Sequence, residues 1–170
     1  MIIFDASTLL LVAKTDLIEL FISNYPGQVL IPEEVRSEIL EVEKADAAVL
    51  KQLIENKKIK VTKIKNNNFS NKLMEDFNIE KGEAEALGLT LQEKAAVIAT
   101  DDRNAMKACK FLKIEFITSI SILIRSFEKG LINSEEALIK LNKLQSFGRY
   151  SKAIIADAAG QLQGRKGEDI

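Results

Sequence analysis

Short apolar segments alternate with longer amphipathic segments along this chain. The short segments have the length of buried strands, and polar or turn-forming residues bound them. They span residues 1–5, 29–31, 59–64, 96–100 and 114–117. Between them, apolar side chains recur at the spacing of one helix face. This alternation predicts a three-layer α/β fold in which helices cover a parallel sheet.

Local signals predict several helix ends. Pro32 is predicted at the first position of a helix, where its restricted φ angle is favourable. The asparagines at residues 66–68 predict a loop, followed by a short helix from Asn71 to Phe77. Gly130 is predicted to stop the helix that precedes it, because glycine readily adopts the left-handed conformation found after helix ends.

Two of the predicted strands end in aspartate. Asp5 follows the first apolar run, and Asp101 and Asp102 follow the run at residues 96–100. Ligands of open α/β sheets bind outside the carboxyl ends of the strands, where carboxylates repel one another unless a cation or proton holds them. These strand ends therefore predict a metal site. The alternative role is helix capping, but one helix takes only one cap, which would leave the other member of the 101–102 pair free.

Three glutamates on predicted helices are candidates for the same site. Glu38 borders the apolar stripe of its helix, whereas Glu83 and Glu85 lie in the first turn of another helix, after Gly82. Each also has an ordinary alternative, as a surface residue or as a complement to the helix dipole. Together, such carboxylates suit Mg²⁺ or Mn²⁺, which activate water and stabilise the oxygens of a phosphodiester.

Composition limits the remaining chemistry. The 170-residue chain has no histidine, which excludes Ser-His-Asp catalysis, His-based zinc sites and RNA cleavage by paired histidines. Its formal net charge of -1 offers no global attraction for a polyanion, so local cations or bound metal must supply it. Cys109 is the single cysteine, which fits a cytoplasmic location, and neither a signal peptide nor a transmembrane segment is predicted.

The order of these motifs resembles the PIN domain. Asp-x-Ser at residues 5–7, Val-x-x-Glu-Ile at residues 35–39 and Thr-x-Asp-Arg at residues 100–103 match the toxin nucleases of that family in order and rough spacing. The segments at residues 82–87 and 130–132 more closely resemble a prokaryotic PIN-like subgroup of the DUF3368 type. The resemblance implies a PIN-like α/β/α fold with a five-stranded, mainly parallel sheet.

The resemblance also implies a metal-dependent ribonuclease site at the carboxyl ends of the strands. The four acids expected to be catalytic and to bind metal correspond to Asp5, Glu38, Glu83 and Asp102. The remaining candidates are Asp101 as a further metal ligand, Glu85 as the alternative to Glu83, and Ser7 and Thr100 as supporting hydroxyls. The implied cofactor is Mg²⁺ or Mn²⁺.

The C-terminal part of the chain lies beyond this resemblance. Residues 1–132 are expected to form the PIN-like nuclease domain, and residues 133–170 a helical extension packed on it, with a frayed tail from Gly164. An apolar stripe in the extension is expected to pack on the domain or to form a homodimer face. The stripe consists of Leu138, Leu141 and Leu144, with Ile154 and Ile155. Residues 148–152 combine cations with an aromatic ring, a pattern suited to an RNA or partner contact.

Two functions remain open at this point. The first is a metal-dependent endoribonuclease acting on single-stranded RNA, as the toxin of a toxin–antitoxin pair with a small antitoxin protein as its partner. The alternative is a catalytically degraded PIN-like module that binds RNA or a protein without cleavage. A magnesium-dependent phosphatase would need a second aspartate where Ser7 stands, and no aspartate suits the phosphorylated position of a response regulator.

Overall fold

The computed structural model describes residues 1–163 and places five strands in one parallel sheet. The strands are β1 (Ile2–Phe4), β2 (Val29–Pro32), β3 (Ile59–Thr62), β4 (Val97–Ala99) and β5 (Phe116–Ile117). Their order across the sheet is β3-β2-β1-β4-β5, and every neighbouring pair is parallel. The predicted α/β fold with a five-stranded sheet is confirmed, and the sheet is parallel throughout.

Helices connect successive strands, and two more follow α8 along the chain. Over residues 1–163 they are α1 (Ala6–Lys14), α2 (Ile18–Asn24), α3 (Glu33–Glu41), α4 (Ala45–Glu55), α5 (Asn67–Phe77), α6 (Lys81–Gln92), α7 (Arg103–Leu112), α8 (Ser119–Glu128), α9 (Ser134–Phe147) and α10 (Lys152–Gln163). None of them is long and apolar enough to cross a bilayer.

The alternating side chains of the strands separate two hydrophobic cores. Ile2 and Phe4 of β1 belong to the core that includes α1, α2 and α8 to α10. Ile3, between them in sequence, belongs to the second core, which includes α5, α6 and α7. Because both faces of the central strand are buried, its sequence is continuously apolar, as expected for a parallel sheet.

Two predicted helix boundaries were wrong. Pro32 is the last residue of β2 and pairs with Thr62 of β3, so it precedes the first turn of α3 instead of occupying it. Helix α5 begins at Asn67, because the Asn66 side chain accepts a hydrogen bond from the amide of Phe69 at 3.1 Å and caps the helix. Gly130 follows α8 with a φ of 70°, which confirms the predicted stop.

The C-terminal helices complete the first core. Leu141 and Leu144 of α9 and Leu162 of α10 are buried in the same cluster as β1. The Lys140 ammonium also donates to the carbonyl of Thr15, at the end of α1, at 2.8 Å. The apolar stripe therefore packs on the domain. The predicted frayed tail at residues 164–170 lies outside the described residues.

Candidate active site

The site lies where two neighbouring parallel strands end. The chain adds β2 and β3 on one side of β1 and β4 and β5 on the other, so the direction of winding reverses between β1 and β4. Such switch points leave a crevice outside the carboxyl ends of the strands. Asp5 follows β1 and Asp101 follows β4, so residues far apart in sequence meet there.

Asp5 is the most deeply buried acid of the site, with 1% of its surface exposed. Its Oδ1 atom accepts the amide of Thr8 at 2.8 Å, which caps α1, and the hydroxyl of Ser7 at 3.2 Å. Its Oδ2 atom is buried and accepts no hydrogen bond. Burial raises the pKa of Asp5 and the negative charge of Asp101 adds to the effect, whereas the Thr100 and Thr8 hydroxyls and the Thr8 amide lower the pKa. An unpartnered buried carboxylate oxygen is costly, and a proton or a bound cation compensates it.

Asp101 is held by two other parts of the chain. Its carboxylate accepts the Tyr150 hydroxyl at 2.6 Å and the Ser119 amide at 3.1 Å, and it also accepts the Ser119 hydroxyl. Burial raises the pKa of the Tyr150 phenol, and the charge of Asp101 raises it further, so the phenol stays protonated and donates. Asp101 thereby joins β4 to α8 and to the segment before α10.

Asp102 caps α7. Its Oδ1 atom accepts the amide of Ala105 at 2.7 Å, while its own amide donates to the Thr100 hydroxyl at 3.3 Å. The prediction that capping by one aspartate leaves the other free was wrong, because Asp101 is bound to Ser119 and Tyr150. The buried hydroxyl of Thr100 therefore supports the turn that carries both aspartates.

Two helices bring Glu38 and Glu83 into this acidic environment. Burial raises the pKa of Glu38 to about 7, and the charges of Glu34, Glu80 and Asp5 contribute. Burial also raises the pKa of Glu83 to about 7; the charges of Asp102 and Asp5 add to this, and the Glu80 amide opposes it. These mutual effects place the acids of β1, α3, α6 and the β4–α7 turn within one electrostatic cluster.

Glu83 and Glu85 point to different surfaces. Glu83 lines a groove shared with Asp101 and Asp102. Glu85 lines a separate groove, where it accepts the amide of Glu34 at 3.3 Å and lies 3.9 Å from the ammonium of Lys81. Glu85 therefore supports the start of α3, and Glu83 is the residue of this helix that faces the acidic cluster.

Glu80 is an acid that the sequence reasoning missed. It precedes α6, and its amide donates to Glu83 Oε2 at 2.9 Å. It lines the groove with Glu83, and its charge raises the pKa of both Glu38 and Glu83. The spacing of two acids three residues apart before an apolar helix resembles a capping box, and this signal could have identified it.

The groove outside the acids has a volume of about 470 Å³. Its acidic residues are Glu80, Glu83, Asp101 and Asp102. Its other lining residues include Leu10, Leu11, Lys14, Phe147 and Arg149. Carboxylates thus adjoin basic and apolar side chains in one groove.

Carboxylate oxygens suit a hard divalent cation, and the buried Oδ2 atom of Asp5 is a possible metal ligand without a hydrogen-bond partner. The side chains are nevertheless not assembled as a ligand set, because no three acidic or thiol groups within residues 1–163 are placed to share one ion. The assignment of Asp5, Glu38, Glu83 and Asp102 as metal ligands stays a prediction.

Gly82 allows Glu38 to approach the start of α6. A Cβ atom at residue 82 would overlap Glu38 Oε1 and would lie 3.0 Å from Glu38 Cδ. We expect Gly82→Ala to displace the Glu38 carboxylate and to weaken Mn²⁺ binding by about tenfold, the scale of disturbed support around metal ligands. Alanine also favours the helix by about 0.5–1 kcal/mol relative to glycine. The loss of Mn²⁺ affinity should therefore not be accompanied by a loss of stability. Calorimetric Mn²⁺ titration and chemical denaturation measure the two effects.

Gly160→Ala is the matched control for that substitution. Gly160 also lies within a helix, α10, but an added Cβ there meets nothing within 4 Å. Its variant should gain stability without a change in Mn²⁺ affinity. Equal Mn²⁺ affinities of the two variants would contradict a role for the Glu38 position.

Comparison with known proteins agrees with this geometry. The family model described as PIN domain, DUF3368, matches residues 1–164, which include α9 and α10. No curated protein matches the chain. PIN domains are generally nucleases, they usually need divalent metal ions, and they imply binding of nucleic acid. The match over nearly the whole chain, together with the parallel sheet and its acidic edge, shows that the protein belongs to the PIN domain family.

Proposed function

We propose that this protein is a metal-dependent endoribonuclease that hydrolyses phosphodiester bonds of single-stranded RNA. One observation carries the proposal: the buried Oδ2 atom of Asp5 has no partner and belongs to an acidic cluster at the switch point of the sheet. Membership of a family of nucleases supports the reaction class. RNA as the substrate is supported by the groove, where Lys14 and Arg149 suit phosphate and Phe147 suits a base.

Asp5, Glu38, Glu83 and Asp102 would hold Mg²⁺ or Mn²⁺. The bound ion would supply an activated water and stabilise charge on the phosphodiester oxygens. Glu38 and Glu83, with pKa values of about 7, are suited to take up a proton near neutral pH. Ser7, through its hydrogen bond to Asp5 Oδ1, would orient the central carboxylate.

The cellular setting is a further part of the proposal. A toxin–antitoxin role in a prokaryotic cytoplasm is supported by the resemblance to toxin nucleases and by the single cysteine. The antitoxin would place a segment in the groove, where the acids favour a basic side chain. A homodimer would need a surface other than the buried Leu141 and Leu144 side chains, and the exposed Ile139 and Ile154 are available.

The second candidate is a PIN-like module that binds RNA or a protein without cleavage. One observation favours it: in the described part of the chain, no three acidic or thiol side chains are already placed to share an ion. In addition, Asp5, Glu83 and Asp102 each have one carboxylate oxygen that already accepts a backbone amide at the start of a helix.

RNA cleavage and metal binding together separate these candidates. We expect the protein to cleave an unpaired RNA with Mn²⁺ or Mg²⁺ and not in EDTA. Because Glu38 and Glu83 titrate near neutrality, cation binding must displace protons, and Mn²⁺ affinity should be higher at about pH 8 than at about pH 6. RNA binding without cleavage, and with no measurable Mn²⁺ affinity at either pH, would establish the second candidate instead.

A further inference from the structure

The loop after α9 contributes side chains to the acidic groove from outside the sheet. Phe147, the last residue of α9, is 55% exposed, and the following loop carries the exposed Arg149. Both line the groove, together with Lys14 at the end of α1. The Lys14 ammonium lies 5.0 Å from the centre of the Phe147 ring. We call Lys14, Phe147 and Arg149 the basic–aromatic wall.

Anchors on both sides of the loop fix this wall in place. Before it, Lys143 of α9 forms a 2.9 Å ion pair with Asp16, just after α1. After it, the Tyr150 hydroxyl donates to Asp101 at 2.6 Å. A side chain at Gly148 would collide with the Tyr150 ring and would lie 2.9 Å from the Leu144 carbonyl oxygen. The turn is therefore tight, and the wall is preorganised for a ligand.

The charged groups of the wall have few competing partners. Among residues 1–163, neither Lys14 nor Arg149 forms an ion pair with an acid, although four acids line the same groove. Two cations left for an external anion are suited to phosphate, and Arg provides bidentate geometry. The apolar Leu10 and Leu11 lie in the same groove and extend the surface of the Phe147 ring.

We propose that the basic–aromatic wall is a subsite for one unpaired nucleotide of the RNA, next to the bond that is cut. The base would stack on Phe147, and its phosphates would contact Lys14 and Arg149. The proposal rests on the proposed function, because the acids alone repel a polyanion. It predicts a preference for single strands, since a base paired in a duplex does not offer its face to an aromatic ring.

The test compares two exposed phenylalanines. Phe111 of α7 is 75% exposed and packs against Phe77 with ring centres 5.7 Å apart, and it does not line the groove. Fluorescence anisotropy with a short unpaired RNA, in an Asp5→Asn background to limit cleavage, measures affinity. We expect Phe147→Ala to weaken binding by about tenfold or more, since base stacking on an aromatic ring has effects of this size. Phe147→Trp should restore binding, and Phe111→Ala should leave it unchanged.

The affinity for a duplex, made by annealing the same RNA to its complement, is measured as well. Arg149→Gln should weaken both unpaired and duplex RNA, whereas Phe147→Ala should affect only the unpaired strand. Equal affinities of Phe147→Ala and Phe111→Ala for unpaired RNA, or no binding of RNA by the parent protein, would overturn the subsite.

Cleavage by the protein with Asp5 intact keeps the two proposals distinguishable. If RNA is cleaved and Phe147→Ala leaves KM unchanged, the proposed function stands and the subsite fails. If Phe147 governs RNA affinity but no cleavage occurs with Mn²⁺, the subsite stands and the endoribonuclease proposal fails. With both correct, Phe147→Ala raises KM more than it lowers kcat, because stacking acts mainly on substrate binding.

Discussion

Asp5→Asn should abolish RNA cleavage while leaving the protein folded. The asparagine retains an oxygen that can accept the Thr8 amide, now bound at 2.8 Å, so the start of α1 is preserved. The negative charge and the free Oδ2 atom are lost, and with them the central candidate metal ligand. We expect kcat to fall by at least about a hundredfold, the scale on which loss of one charge-stabilising group acts. The rise in Tm caused by Mn²⁺ should also disappear.

Asp76→Asn is the matched control, since it makes the same chemical change on the surface. Asp76 is exposed on α5 and does not line the acidic groove. That variant should keep the cleavage rate and the response to Mn²⁺ of the parent protein. An Asp5→Asn protein that cleaves RNA at the parent rate would refute the proposed site.

Leu144→Ala should destabilise the whole protein, not only its C-terminal helices. Leu144 is fully buried and belongs to the core that contains β1 and α1. Removal of a buried leucine side chain costs about 2–5 kcal/mol, which is a large part of the stability of a typical domain. We expect one cooperative transition at a lower denaturant concentration, observed alike by far-ultraviolet circular dichroism and by the loss of Mn²⁺ binding.

Ile139→Ala provides the comparison on the same helix. Ile139 is 53% exposed, so its replacement should change the free energy of unfolding far less. A chain ending at Ile132 would leave the core partners of Leu141 and Leu144 uncovered, and we expect it to lack a cooperative unfolding transition. A stable, metal-binding 1–132 fragment would support the predicted division into a nuclease domain and an extension.

The elements of this fold were accessible from sequence because their signals are local. Apolar runs of strand length and helical periodicity depend on neighbouring residues, and the stop at Gly130 depends on one backbone conformation. The two wrong boundaries have tertiary or side-chain causes: Pro32 is held in β2 by pairing with β3, and Asn66 caps α5. Neither partner could be identified from the local pattern alone.

Only part of the candidate site could be predicted from the sequence. The acids at the strand ends were predicted from the rule for parallel sheets, and the family from the order of the motifs. The distinction between Glu83 and Glu85 needed the direction of α6 relative to its neighbours, because both lie in or near its first turn. Glu80 was marked by its capping-box spacing to Glu83, whereas the basic–aromatic wall required the packing of α9 beside α1.

Periodicity, strand length and motif order were enough to predict a parallel α/β domain that resembles the PIN family, with carboxylates after β1 and β4. The hydrogen bonds from Ser119 and Tyr150 to Asp101, and the buried Oδ2 atom of Asp5 without a partner, could be identified only in the folded chain. Hydrogen-bond satisfaction depends on groups brought together from distant parts of the chain, which no local pattern specifies.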